Sequence, residues 1–304
     1  MGVAIVKTAA AFSPQFNTRS SNCTIVEVRK EWRNLTSTEQ IAYLDAEICL
    51  MNLPAQTGLA AVTSRYSDLE ALHQNLTTII HDVGQFLPWH RYFVHVHHEI
   101  LKTQCNYGGP VPWWDERIDS GDFESSTIFS PDTFGSLGAS SCVTSGYFAN
   151  TTLYIGPGTQ ETVHCLSRNV NDNASAKTSS TYIDNCNAYS NYTSMWECVV
   201  AGPHAGGHLG VGGVMSNMDS SVGDPSFFLH HGFIDRNWWT WQNIDPTNNL
   251  YQISGYTTQK PLPSGGYEEV TLDYVMSSWG VLPNVTIYDV MDAEGGYLCY
   301  EYDY

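Results

Sequence analysis

The stretch HDVGQFLPWHRYFVHVHHE, residues 81–99, carries five of the eleven histidines in a chain of 304 residues. A second stretch, DPSFFLHHGFIDR at 224–236, holds an adjacent pair, and HAGGH occupies 204–208. Such a density of imidazoles raises the question of which rings bind something. His204 and His208 are four residues apart, so on a helix both rings share a face, with Cβ atoms about 5–6 Å apart. That spacing suits two ligands on one metal ion. The two glycines between them weaken a helix by about 1 kcal/mol each relative to alanine. Close packing against a neighbour, or a metal, is the expected reason for them. His230 and His231 diverge by about 100° on a helix, so only one can face an ion and the other is structural. Asp224-Pro225 reads as the start of that helix, because Asp caps it and proline in the first turn loses no hydrogen bond.

Composition narrows the setting. Thirteen Lys and Arg stand against 31 Asp and Glu, a formal net charge of −18. A chain this acidic repels nucleic acid and anionic membrane surfaces, and no apolar run is long enough for a transmembrane helix. Hydrophobic residues make up 42%, which is enough for a sizeable core. The eight cysteines contain no CxxC pair, which argues against a zinc ribbon or a redox motif. Sequons begin at Asn22, Asn34, Asn75, Asn150, Asn173, Asn191 and Asn284. Beside the even cysteine count they point to a secreted, N-glycosylated protein. Residues 1–22 lack the basic-then-apolar order of a signal peptide and read as an arm at a mature N-terminus.

Apolar positions at 41, 44, 48 and 51 have the spacing of a core-facing helix within 31–51, with Thr36 or Ser37 as N-cap. Further helices are expected over 66–80, 89–103, 195–208 and 226–243. Residues 116–193 are rich in Ser, Thr, Asn and Gly, show no sustained period, and read as long loops pinned by Cys142, Cys165 and Cys186. The tail from 267 mixes strand-like runs and loops. No linker or repeat divides the chain, so 23–304 is expected to be a single, mainly α domain with few short strands.

His81 with Phe86-Leu87-Pro88-Trp89-His90-Arg91, and Asp224-Pro225 with Phe227-Phe228, His230-His231 and Asp235-Arg236, resemble the CuA and CuB motifs of the tyrosinase and catechol oxidase family. The likeness spans roughly residues 45–302 and is greatest to short, secreted fungal polyphenol oxidases. Tyr300-Glu301-Tyr302 is similar to the tyrosine motif closing the family's core domain. The chain stops two residues later, which implies no C-terminal shielding domain. The resemblance implies a four-helix bundle holding a dinuclear type-3 copper centre. Carried over by position, CuA takes His73, His81 and His90, and CuB takes His204, His208 and His231. An all-imidazole set suits copper among first-row metals, and neither motif offers the carboxylate ligand or base usual in a zinc hydrolase.

Further roles follow from the same resemblance. His230 and Asp235 are expected beside the ligands, orienting them. Ala205, Leu209, Met218 and Phe227 are expected around the substrate, with Phe227 over the copper pair. Glu197 is a candidate for orienting a water that acts as base. His95, His97, His98 and His164 are expected to bind no copper. The sequence departs from the family's pattern at Ile79, where many fungal relatives carry a cysteine cross-linked to the second CuA histidine. His81 must therefore be held by packing or hydrogen bonds. It departs again at His98, where relatives carry Glu, and at Ala205, where many tyrosinases carry Asn.

The function implied is oxidation of o-diphenols by dioxygen to o-quinones and water, with weak or narrow activity on monophenols. A full tyrosinase, or a haemocyanin-like oxygen carrier, is the alternative. Small phenols and dioxygen are the expected partners. All eight cysteines are expected to be paired: Cys23 with Cys299, at opposite ends of the domain, and Cys49 with Cys105 across the CuA helices.

Overall fold

The helix starts are written locally. In the computed structural model, which describes residues 23–137 and 141–304, α1 (Ser37–Asn52) is capped by Thr36. The Thr36 hydroxyl accepts from the Glu39 N–H, and the Glu39 carboxylate accepts from the Thr36 N–H in return, a reciprocal pair that satisfies two otherwise unpartnered donors. Ser64 and Ser67 cap α2 (Arg65–Ile80) in the same way. Helix α3 (Phe86–Cys105) begins three residues before the expected Trp89, because Pro88 in the first turn has no hydrogen bond to lose. It ends where Asn106 turns left-handed at φ 54°.

The described residues of the loop-rich region 116–193 form only two-residue ladders and short helices, among them α4 (Asp172–Ser175) and α5 (Ser180–Asn187). The helix expected over 195–208 is longer and has a wide turn in it. Helix α6 (Tyr192–Val199) passes through a π turn at Val200–His204 into α7 (Ala205–Val211). Pro203 sits in that turn and has no N–H for an i−4 bond, so the wider turn fits there. Helix α8 (Ser226–Ile244) follows Pro225. Pro225, not Asp224 as expected, occupies the cap position; Asp224, one residue earlier, accepts from the Ser226 N–H and pairs with the buried Arg168.

Helices α2, α3, α8 and the α6–α7 pair form the bundle, and α1 packs outside α2 and α3. Two disulfides hold helices together: Cys49–Cys105 joins α1 to the end of α3, and Cys186–Cys198 joins α5 to α6. Cys142–Cys165 closes part of the loop region, and Cys23–Cys299 spans 276 residues to tie the two ends. Among the described residues no cysteine is free, and both expected pairings occur.

Glu27–Glu31 pairs in parallel with Pro112–Trp113 on one side and Tyr300–Tyr302 on the other. This small sheet seats Tyr300 and Tyr302 against Asp235 of α8. Asp235 accepts from Tyr300, from Tyr302 at 2.5 Å, from Arg29 at 3.1 Å and from Arg91 at 2.5 Å. The expectation that Asp235 orients a ligand is therefore corrected. Its oxygens are taken up by two arginines and two tyrosines, while the Arg236 Nε–H donates to the Tyr304 carbonyl. Burial alone would raise the Asp235 pKa, but Arg91, Arg29 and the tyrosine hydroxyls outweigh it and hold the carboxyl below its ordinary value. The network pins α8 to α3 one residue from His90 and four from His231.

Candidate metal centre

Four of the bundle's elements converge their histidines into two adjoining groups. His73 projects from α2, His81 is the residue that ends it, and His90 stands on the first turns of α3. His204 closes the π turn, His208 is on α7, and His230 and His231 are on α8. Within each group a ring nitrogen from every member lies within 4.8 Å of the others. All seven rings are at most 9% exposed.

Backbone carbonyls set the ring orientations. The Nδ1 atoms of His73, His81, His90 and His208 lie 2.8–3.2 Å from the carbonyls of Asp219, Thr77, Phe86 and Met215. A carbonyl accepts only, so each Nδ1 carries the proton and each Nε2 keeps its lone pair. The Thr77 carbonyl thus holds His81, where Ile79 offers no cross-link. The Nε2 atoms of His73, His90 and His204 are buried without a hydrogen-bond partner. His208 Nε2 and His231 Nε2 face one another at 3.3 Å. Buried polar atoms are rarely left unpartnered, so converging lone pairs of this kind are what a bound cation would satisfy.

Burial, which penalises the charged ring, is the first cause of every shift in the cluster. It holds His73, His90, His204, His208 and His231 well below the ordinary histidine value and His81 at about 3. The rings stay neutral and available as ligands. No carboxylate joins either group. An all-nitrogen set of this kind suits copper, and the two groups fit a dinuclear copper centre.

The adjacent pair on α8 divides as a helix requires. His231 stacks on His90, while His230 turns towards Glu116, its Nδ1 2.6 Å from the carboxylate. Burial pushes Glu116 well up and His230 down to about 3, so the pair holds its hydrogen-bonded proton without net charge. Glu116 is 114 residues from His230, and no motif marks it. The glycines of HAGGH are explained by packing. A Cβ on Gly207 would lie 2.4 Å from the His230 ring and 2.6 Å from Glu116 Oε2. One on Gly206 would lie 2.9 Å from the Lys177 side chain.

An apolar cleft of about 200 Å³ opens over His81, His204 and His208. Ala205 lines it half-buried, and Leu209 and Met218 stand exposed in its wall, 46% and 48% respectively. Asp82, Phe86, Val200, Met215 and Ser216 also line it and were not anticipated. Phe86, four residues before His90, could have been found from helical period alone. Two expectations are corrected here. Phe227 packs against histidines of both groups as expected, with its ring 4.2 Å from His231 and 5.2 Å from His73, but it is fully buried and does not line the cleft. Glu197 is exposed and lines a neighbouring depression instead.

The other histidines stay outside both groups. His97 pairs with Glu47 at 2.9 Å and stacks on Phe228, His95 lies against Tyr297, His98 lies 3.8 Å from Glu27, and His164 faces the Thr162 carbonyl. Six sequon asparagines (Asn34, Asn75, Asn150, Asn173, Asn191 and Asn284) are exposed. Asn22 and the arm at 1–22 lie outside the described residues.

Comparison with known proteins agrees with this geometry. The family model for the common central domain of tyrosinase matches residues 63–244, more than half of the chain. A tyrosinase-like protein of Diaporthe leptostromiformis is 32% identical over 92% of this chain and 81% of its own length. The N-acetyl-6-hydroxytryptophan oxidase of Emericella nidulans is 31% identical over 97% of both chains. In fold, the chain is similar to a polyphenol oxidase from Thermothelomyces thermophila, with a TM-score of 0.81 and 24% identity over 91% of this chain and 88% of that one. It is also similar to a functional unit of octopus hemocyanin, with a TM-score of 0.59 and 18% identity over 91% of this chain and 68% of that one. With more than half its length matched and both histidine groups assembled in one bundle, the chain belongs to the tyrosinase family of type-3 copper proteins, as an oxidase of the fungal type.

Proposed function

We propose that the protein is a secreted polyphenol oxidase that converts o-diphenols to o-quinones and acts weakly on monophenols. Two coppers bound at the histidine groups would supply the electron-accepting chemistry that couples phenol oxidation to reduction of dioxygen. His73, His81 and His90 would hold one metal and His204, His208 and His231 the other. His230 would be kept off the metal by Glu116. Phe227, Phe86 and the carbonyl-anchored Nδ1 atoms hold the rings in place, so little reorganisation accompanies binding.

The observation that carries the substrate reading is the chemistry of the cleft wall. A monophenol must lose a proton with a pKa of about 10 before its oxygen can bind a metal. Beside His204 stands Ala205, whose side chain neither donates nor accepts a hydrogen bond, and the Glu197 carboxylate lines another depression. A catechol is more acidic and chelates through two oxygens, so it depends less on a base. The apolar lining from Phe86, Val200 and Met215 excludes water around it.

Four disulfides and six exposed sequon asparagines support a glycosylated protein of an oxidising compartment. No helix among the described residues is long and apolar enough to cross a membrane. The test is oxygen consumption by the copper-loaded protein with 4-methylcatechol and with 4-methylphenol. Rapid uptake with the catechol and slow uptake with the phenol is expected. Equal rates would make it a full tyrosinase, and oxygen binding without quinone would make it a carrier. Ala205→Asn should raise phenol turnover relative to catechol turnover.

A further inference from the structure

The six candidate ligand rings are not equally reachable. His81, His204 and His208 line the cleft, and His73, His90 and His231 do not. The first three are 4–9% exposed and the other three at most 2%, so a metal ion coming from solvent reaches both groups past the cleft wall. That wall is uneven as a source of ligand atoms. The side chains of Phe86, Val200, Ala205 and Leu209 offer none, and those of Asp82 and Ser216 offer oxygen. The Ser216 hydroxyl is already used, donating to the Gly213 carbonyl at 2.7 Å. The soft donors are the thioethers of Met215 and Met218, three residues apart in Met215-Ser216-Asn217-Met218. They differ in depth: Met218 is 48% exposed, and Met215 is fully buried.

The segment carrying these methionines is tied to both histidine groups. The His208 Nδ1–H donates to the Met215 carbonyl at 2.8 Å, and the His73 Nδ1–H to the Asp219 carbonyl at 3.1 Å. One loop therefore orients a ligand of each group. Its start is anchored by Gly212 and Gly213, at φ 68° and 56°, which press on the backbone of residues 167–169. A Cβ on Gly212 would run into the Asn169 carbonyl oxygen, and one on Gly213 into that of Ser167. The methionines thus stand on a held segment next to His208. Leucine would fill the same space but has no atom for a metal, whereas thioethers select Cu(I).

We propose that Met215 and Met218 form a Cu(I) entry site through which copper reaches the histidine groups. Met218 takes the cuprous ion at the mouth, Met215 draws it inward, and His208 receives it. Each transfer exchanges one Cu–S bond for another, or for a Cu–N bond, and copper stays Cu(I) throughout. No proton moves, because His208 Nδ1 keeps its proton and Nε2 already holds a free lone pair. The inference rests on the two histidine groups being the copper sites, and adds how they are filled.

The experiment offers the full chain, freed of metal, either Cu(I) as its bicinchoninate complex without oxygen or Cu(II) as its glycine complex. Uptake is followed by the loss of each complex's absorbance, and final copper content by elemental analysis. The wild type is expected to take up two coppers from either source. The volume-conserving Met215→Leu/Met218→Leu double variant should take up Cu(I) at least about tenfold more slowly, the order lost when a supporting group leaves a metal site. It should still end at two coppers, with Cu(II) uptake at the wild-type rate. Met218→Leu alone, at an exposed position, should slow Cu(I) uptake by less. Met51→Leu removes a thioether from a different depression and should change neither rate. Wild-type Cu(I) uptake in the double variant, or equal slowing with Cu(I) and Cu(II), would overturn the entry site alone. Fewer than two coppers in the wild type would remove the copper sites themselves, and the entry site with them.

Discussion

The imidazoles of His90 and His231 stack with centroids 4.4 Å apart and planes 11° from parallel. One ring comes from α3 and the other from α8, and Phe227 backs the pair at 4.2 Å from His231. The contact makes the two histidine groups one unit, because moving either ring moves the other.

It follows that the copper-loaded protein should hold two coppers per chain by elemental analysis. His90→Ala and His231→Ala should each lower that number to one or less and abolish diphenol oxidation. His97→Ala should retain both coppers, since His97 lies outside the groups. It should still destabilise the fold by about 3 kcal/mol in urea unfolding, because it removes a buried ring stacked on Phe228 and leaves a cavity beside Glu47. Two coppers in His90→Ala would remove the assignment.

Glu116 and Gly207 act on the second group from behind. Glu116→Ala leaves His230 Nδ1 buried without its partner and should cost about 2 kcal/mol in thermal or urea unfolding. Glu116→Gln, which keeps a hydrogen bond, should cost less. Gly207→Ala forces a Cβ to 2.4 Å from the His230 ring. It should displace His204 and His208 with α7 and so weaken copper retention during dialysis against a chelator. Unchanged retention in Gly207→Ala would show that α7 is free to shift.

Asp235 gives the fold an acid limit. Its carboxyl lies below the ordinary value when folded, so it contributes stability that is fully present above the unfolded pKa of about 4. That contribution is lost as pH falls through the lower folded value. Unfolding free energy should be insensitive to this group between pH 7 and 5 and should fall below about pH 4. Asp235→Asn, which leaves Arg29 and Arg91 buried without their counter-charge, should cost about 3–5 kcal/mol at pH 7 and flatten the acid limb.

The bridge between Cys23 and Cys299 closes a separation of 276 residues and holds the ends beside the sheet that carries Tyr300 and Tyr302. The Cys23→Ser/Cys299→Ser double variant should lose about 2–5 kcal/mol, read as a lower Tm with copper stoichiometry unchanged at low temperature.

What the sequence determined by itself is local. Thr36 before Glu39, Ser64 before Ser67 and Pro88 near Phe86 set helix starts, because caps and prolines act within one turn. Period alone told that His204 and His208 share a face and that His230 and His231 do not, while the family and the ligand candidates came from the likeness of the motifs at 81–91 and 224–236 to those of known copper oxidases. Only the tertiary structure decided what lies at long separation. His230 meets Glu116 across 114 residues and Arg29 meets Asp235 across 206, and no local rule encodes such partners. The same limit explains why Phe227 stays out of the cleft, why Glu197 faces a different groove, and why glycine is needed at 207. Each depends on which neighbour the packed bundle places opposite, and that is fixed only when the helices close on one another.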